Sequence, residues 1–142
     1  MGYGVPAAIA AKAVHPNRTA VCIAGDGDFL MSANELATAV QHELPVVVLV
    51  VDNGMYGTIR MHQEREYPGR VSGTTLVNPD FAAFARSFGA HGETVERTED
   101  FRAAFGRALA AGRPAVLHLP VDPDAITPRT TLTALREAAL GA

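Results

Sequence analysis

Two short runs carry side chains able to hold a metal ion and a phosphate together: Ala24-Gly25-Asp26-Gly27-Asp28 and, one strand-helix-strand interval later, Val50-Val51-Asp52-Asn53-Gly54. Read as a tight turn, Gly25-Asp26-Gly27 presents backbone N–H groups to an anion, and its glycines tolerate the positive φ that such a close approach demands. The Asp26 carboxylate beside that anion can hold a cation, and the Asn53 amide can add a neutral oxygen. A hard divalent ion such as Mg2+ takes octahedral oxygen ligands shared between carboxylates, water and phosphate. Each run alone is a common turn. Both together, at the carboxyl ends of two strands flanking one helix, predict a diphosphate clamped through a metal.

The elements that must position these residues are readable from periodicity. A helix is predicted over Val5 to Val14, stopped by His15-Pro16-Asn17. Thr19 to Ala24 and Val46 to Val51 are short apolar runs of the kind found in parallel strands covered on both faces. Ser32, with Glu35 three residues on, has the pattern of a capping box opening the helix between them, which ends near Glu43-Leu44-Pro45. Tyr56 to Gln63 reads as a short helix and Glu64 to Val77 as an irregular loop. Asn78-Pro79-Asp80 opens a helix with Phe81, Phe84, Ala85 and Phe88 at core spacing. A strand over Gly92 to Val95, a helix from Thr98 to Ala110, a strand over Pro114 to Val121 and a helical pattern from Leu132 to Leu140 complete the chain. The alternation predicts one α/β domain over residues 1–142, a doubly wound, mainly parallel sheet with helices on both faces. Ligands of such folds lie beyond the carboxyl ends of the strands. N–H groups at the start of the Ser32 helix can add to an anion site there.

Composition narrows the function classes. The chain has 142 residues, 48% apolar and 19% charged, with a net charge of −3, which offers no footprint for nucleic acid or an acidic membrane surface. Cys22 is the single cysteine, so internal disulfides and thiolate clusters are excluded, and its neighbours Val21 and Ile23 predict a buried, inert thiol. No apolar run is long enough to span a bilayer and no secretory signal opens the chain, which predicts a cytoplasmic protein. No Gly-x-Gly-x-x-Gly follows the first strand, which counts against a dinucleotide-binding oxidoreductase. His15, His42, His91 and His118 are scattered and read as surface or packing residues.

The span from Gly25 to Asn53 resembles the thiamine-diphosphate motif, which runs from Gly-Asp-Gly to a terminal Asn. Met1-Gly2-Tyr3-Gly4-Val5-Pro6-Ala7-Ala8, Glu35-Leu36-Ala37-Thr38-Ala39, Leu44-Pro45-Val46 and Asn78-Pro79-Asp80-Phe81 are likewise similar to the acetolactate synthase and 2-oxoacid decarboxylase group. The likeness covers nearly the whole chain and falls on the diphosphate-binding domain, normally the C-terminal third of a longer polypeptide. It implies that Asp26 and Asn53 are magnesium ligands, with Met55 giving a main-chain carbonyl. It further implies that Gly25, Gly27 and the backbone of Asp28 line the diphosphate, and that Met1 is the apolar residue wedged under the cofactor. The cofactor would be thiamine diphosphate with Mg2+, and the substrate a small 2-oxo acid, decarboxylated with or without transfer to a second carbonyl.

Several positions depart from that pattern. Asp52 stands where the family has a first Asn, and Asp28 where Ser is frequent. His62 stands where the biosynthetic acetolactate synthases carry Trp, which counts against a branched-chain biosynthetic role. Arg60, His62 and Gln63 can face a substrate or equally be plain helix-surface residues. The family's activating glutamate lies on a separate pyrimidine-binding domain, so the resemblance implies no catalytic residue in this chain and no turnover by it alone. The chain is then a fragment or excised domain, or works with a partner that brings that glutamate. Apolar surface that the missing domain covers would promote homo-oligomers. A non-catalytic regulatory or assembly module retaining the fold is the alternative reading.

Overall fold

The computed structural model describes residues 1–141. It contains two compact units, one of Met1–Asp52 with Asn78–Pro120, the other of Asn53–Val77 with the chain from Val121.

The first unit is built on four strands, β1 (Ala20–Gly25), β2 (Val46–Asp52), β3 (His91–Thr94) and β4 (Ala115–Pro120), in the order β1-β2-β4-β3. Every strand pairing in this sheet is parallel, with Ala20 opposite Val46, Asp52 opposite Pro120 and His91 opposite Ala115. Strand side chains alternate between faces. Val46, Val48, Val50 and Val116 therefore pack on one side with Val5 and Ile9 of helix α1 (Gly4–Val14), and with Phe81 and Ala85 of the helix Phe81–Ser87. Val47, Leu49, Ala115 and Leu117 pack on the other side with Ala104 and Ala108 of the helix Phe101–Ala110. This is the α/β, parallel, two-faced sheet that the alternation predicts. Beside β2 the second face is bare: Val21 and Ile23 of β1 are 41% and 72% exposed. Cys22, on the covered face, is 5% exposed, and burial pushes its thiol pKa up, as expected of an inert core cysteine.

Two local expectations are corrected. Gly25-Asp26-Gly27 is not a tight turn. Gly25 is extended (φ −71°, ψ 160°), and Asp26 opens a five-residue helix, α2 (Asp26–Leu30). Neither Gly25 nor Gly27 has a positive φ. The acidic Asp26 and Asp28 sit in the first turn of α2, where free N–H groups favour negative charge, so the helix starts directly at the strand end. The capping box is also absent. Met31 and Ser32 N–H donate to the Asp28 and Phe29 carbonyls, so the backbone is still turning helically when it reaches Ser32. Glu35 N–H donates to the Ser32 carbonyl, the Ser32 hydroxyl is buried without a partner, and Glu35 instead accepts from Thr38. A one-turn 3-10 helix (Ala33–Glu35) and α3 (Leu36–Gln41) follow.

In the second unit, α4 (Gly57–Glu66) runs three residues further than the sequence suggests. Beyond α4 the segment is an irregular loop, as the sequence suggests, and it is tied down. Tyr56 N–H donates to the Thr74 carbonyl and Leu76 N–H to the Gly54 carbonyl, each at 2.9 Å, around an antiparallel bridge of Met55 with Thr75. In the first unit, α5 (Phe81–Ser87) is capped by Asp80, whose carboxylate accepts from Ala83 N–H at 2.9 Å. It lies so close to β3 that a Cβ on Gly92 would come within 2.1 Å of the Ala82 carbonyl oxygen. The helix α6 (Phe101–Ala110) begins after a short 3-10 turn over Thr98–Asp100, and α7 (Leu132–Leu140) is capped by Thr131.

Candidate cofactor site

The candidate site is read from each unit separately. In the first, Asp26 follows β1 directly and is 3% exposed. One of its oxygens accepts from Gly27 N–H at 2.9 Å, and the other accepts from the Asn78 side-chain amide at 2.8 Å. The same amide nitrogen donates to Asp52 at 2.7 Å, and the other Asp52 oxygen lies 2.8 Å from His118 Nε2. Asp52 and His118 are largely buried, with side chains 14% and 13% exposed. The His118 ring meets Phe81 edge to face at 5.1 Å, and Phe81 meets Phe29 of α2 the same way at 5.5 Å.

Burial raises the Asp26 pKa above the ordinary value of 3.8, and the neighbouring Asp52 carboxylate raises it further, against the lowering effect of the Asn78 and Gly27 donors. The charge is held in place by neutral dipoles, with another carboxylate as its charged neighbour. Such an arrangement stabilises an incoming cation. Gly25, at the adjacent strand end, has nothing within 4 Å of where a Cβ would stand, so its backbone is open on that side. Among the described residues no three His, Cys, Asp or Glu side chains form a metal cage by themselves. Mg2+ does not need one, since it combines one or two carboxylates with phosphate oxygens and water.

Asp28 has a different task from its neighbour. Its carboxylate accepts from Gly2 N–H at 2.6 Å, tying the residues before α1 to α2. Met1, next to that anchor, is 69% exposed.

In the second unit, Asn53 and Met55 share a local turn: the Asn53 side-chain oxygen accepts from Met55 N–H at 3.2 Å. Gly57 matters here because a Cβ would press to 2.7 Å from the Asn53 amide nitrogen. Arg60 and Gln63 are fasteners. Arg60 donates to Thr74 and Thr75 at 2.6 and 3.0 Å, while Gln63 donates to the Ser72 carbonyl and accepts from Thr74. His62 is exposed on α4.

Asn78 and His118 escaped sequence reasoning. Asn78 reads as part of a helix opening and His118 as a packing residue. A signal was available for His118: Asp52 continues the Val48-Val50 face of β2, and His118 continues the Val116 face of β4, which is the same side of the sheet. No local pattern could have shown Asn78, which lies 52 positions from Asp26.

The model of a family described as thiamine pyrophosphate enzyme, C-terminal TPP binding domain, matches residues 1–119. The chain belongs to that family. It is 41% identical over 123 residues to the acetolactate synthase isozyme 2 large subunit of Escherichia coli (strain K12), a match covering 86% of this chain and 22% of that protein. It is 40% identical over 123 residues to the acetolactate synthase large subunit of Parasynechococcus marenigrum (strain WH8102), covering 85% and 20%. Among solved structures it is similar to the Rhodococcus jostii RHA1 thiamine diphosphate-dependent 4-hydroxybenzoylformate decarboxylase. That match has a TM-score of 0.80 and 33% identity and covers 86% of this chain and 23% of the other. The chain spans about a fifth of the length of the curated relatives it matches. Among the described residues no helix is long and apolar enough to cross a membrane.

Proposed function

We propose that this chain binds thiamine diphosphate through Mg2+, as the diphosphate-binding part of an acetolactate synthase-like enzyme that decarboxylates a 2-oxo acid. The observation that carries the reading is the buried Asp26 carboxylate at the carboxyl end of β1, held by neutral donors and raised in pKa. Asp26 gives the metal its anionic ligand. Asn53 gives an amide oxygen, whose second lone pair is available when the first accepts from Met55 N–H. Met55 contributes its main-chain carbonyl. Gly25, Gly27 and the backbone of Asp28 line the diphosphate, and Asp28 uses its carboxylate to hold Gly2 and, through it, Met1 under the cofactor.

When bound, thiamine diphosphate supplies an electron sink for the carbon–carbon bond that breaks. The residues of this chain bind and orient it. None of them moves the activating proton, which falls to a glutamate on a pyrimidine-binding domain, in the same longer chain or a partner subunit. The isolated chain therefore binds without turnover.

Titration calorimetry of the 142-residue chain with thiamine diphosphate, with and without Mg2+, tests the proposal. Binding should require Mg2+ and be lost in Asp26→Ala; a mutant that binds like the parent removes Asp26 from the metal site. Carbon dioxide release on adding a pyrimidine-binding domain and a 2-oxo acid supports the enzyme. Binding with no release under those conditions supports the non-catalytic module.

A further inference from the structure

We propose that Asn78 is a positioning residue that holds the Asp26 carboxylate in its metal-accepting orientation, an inference that rests on Asp26 being a metal ligand. An amide nitrogen has two hydrogens. Asn78 uses both on carboxylates, at 2.8 Å to Asp26 and 2.7 Å to Asp52. Turning the amide over would put its oxygen against two carboxylate oxygens, so only one orientation is chemically acceptable. Its own oxygen is buried without a hydrogen-bond partner, so nothing at that end selects the orientation. The two carboxylates decide it.

Asn78 is itself held from both sides. Two residues on, Asp80 caps α5, and Phe81 is fully buried between Phe29 and His118. On the far side, Asp52 is fixed by His118 Nε2 at 2.8 Å. With Gly27 N–H on its other oxygen, Asp26 has one donor on each oxygen, and turning the carboxylate away would break both hydrogen bonds. A ligand oriented in advance loses little freedom when a cation arrives, and outer partners of metal ligands affect affinity for that reason. The arrangement also gives the departure at position 52 a use. An Asp there is a second acceptor for Asn78, whereas an Asn could not be relied on to present its oxygen.

Mn2+ with inorganic pyrophosphate, added to the 142-residue chain and followed by electron paramagnetic resonance, tests this. Asn78→Ala should weaken Mn2+ binding by about tenfold or more. The remaining bound signal should broaden as the ligand geometry loosens, while circular dichroism stays that of the parent. Affinity within twofold of the parent and an unchanged line shape overturn the inference. Asp26→Ala run in parallel separates the two claims: undiminished binding there overturns the metal reading itself, as does a parent chain that binds no Mn2+. Should Asn78→Ala not fold, the parent suffices. The side-chain amide resonance of Asn78 should show two slowly exchanging hydrogens and move when Mg2+ and pyrophosphate are added, and a resonance that ignores both overturns the proposal.

Discussion

Asp26 and Glu64 are carboxylates taken almost wholly out of water, 3% and 1% exposed, and the protein treats them in opposite ways. Glu64, on α4, is gripped by the Arg136 guanidinium of α7 through two contacts, at 2.8 and 2.5 Å, and accepts from Gly69 N–H at 2.9 Å. The Arg136 hydrogen bonds, aided by that N–H, hold its pKa down to about 2. Among the described residues Asp26 has the neutral Asn78 and Gly27 donors and the Asp52 carboxylate as a neighbour, and its pKa goes up. The first charge is complete within the fold and serves structure, fastening α7 to α4. The second is the one that the proposed metal site would use. A buried charge whose compensation is missing marks a ligand site more sharply than the residue type alone.

The largest effect should come from removing the uncompensated charge. Asp26→Ala should reduce Mg2+-dependent thiamine diphosphate affinity by more than about 100-fold, beyond the range seen for outer-shell changes, measured by calorimetry. Next comes stranding the compensated one. In Arg136→Ala the Glu64 carboxylate stays buried without its cation, and amides of α4 should exchange faster by roughly tenfold or more, read by hydrogen exchange. Adding Glu64→Gln should restore much of that protection. If the single mutant exchanges like the parent, the ion pair is not what fastens α4.

The two carboxylates should also respond to pH with opposite sign. The folded-state pKa of Glu64 lies below its ordinary 4.5, so the stability contributed by its pair is fully present above about 4.5 and lost as pH falls through about 2. Asp26 has a raised pKa, so its ionised form opposes folding, and that penalty is relieved as pH falls through the raised value. Carboxyl carbon resonances followed through an acid titration should separate the two, and Mg2+ with pyrophosphate should draw the Asp26 titration downward. The smallest expected effect is Asp52→Asn. It should lower the Asp26 pKa, because the Asp52 side chain is one of the causes that raise it, after burial. An Asp26 titration that does not move in the same experiment would remove Asp52 from those causes.

Much of this molecule is legible in its sequence. The apolar runs at 19–24 and 46–51 are β1 and β2 to within a residue, Phe81 and Ala85 are core, and Asp80 caps α5. Those features are local, because period and capping act within a few residues. The reading failed where local signals competed. Ser32 and Glu35 have the spacing of a capping box, but a helix already begun at Asp26 satisfies the N–H groups it would have served. It also failed wherever a partner is far along the chain. Arg60 and Gln63, left open between a substrate role and a plain helix surface, hydrogen-bond Ser72, Thr74 and Thr75, contacts that no local pattern announces.

By itself the sequence determined the class of sheet, the two oxygen-bearing positions Asp26 and Asn53, and, through the Gly25-to-Asn53 motif, the family. Only the tertiary structure decided that Asp26 is held by the neutral Asn78 and Gly27 donors while Glu64 is held by the Arg136 cation. It alone brought Asn78 and His118, 52 and 66 positions from their partners Asp26 and Asp52, into one hydrogen-bonded set. Side-chain type fixes what a residue can donate or accept. Whether the donation is met depends on which distant segments the packed sheet and its helices bring within hydrogen-bond reach.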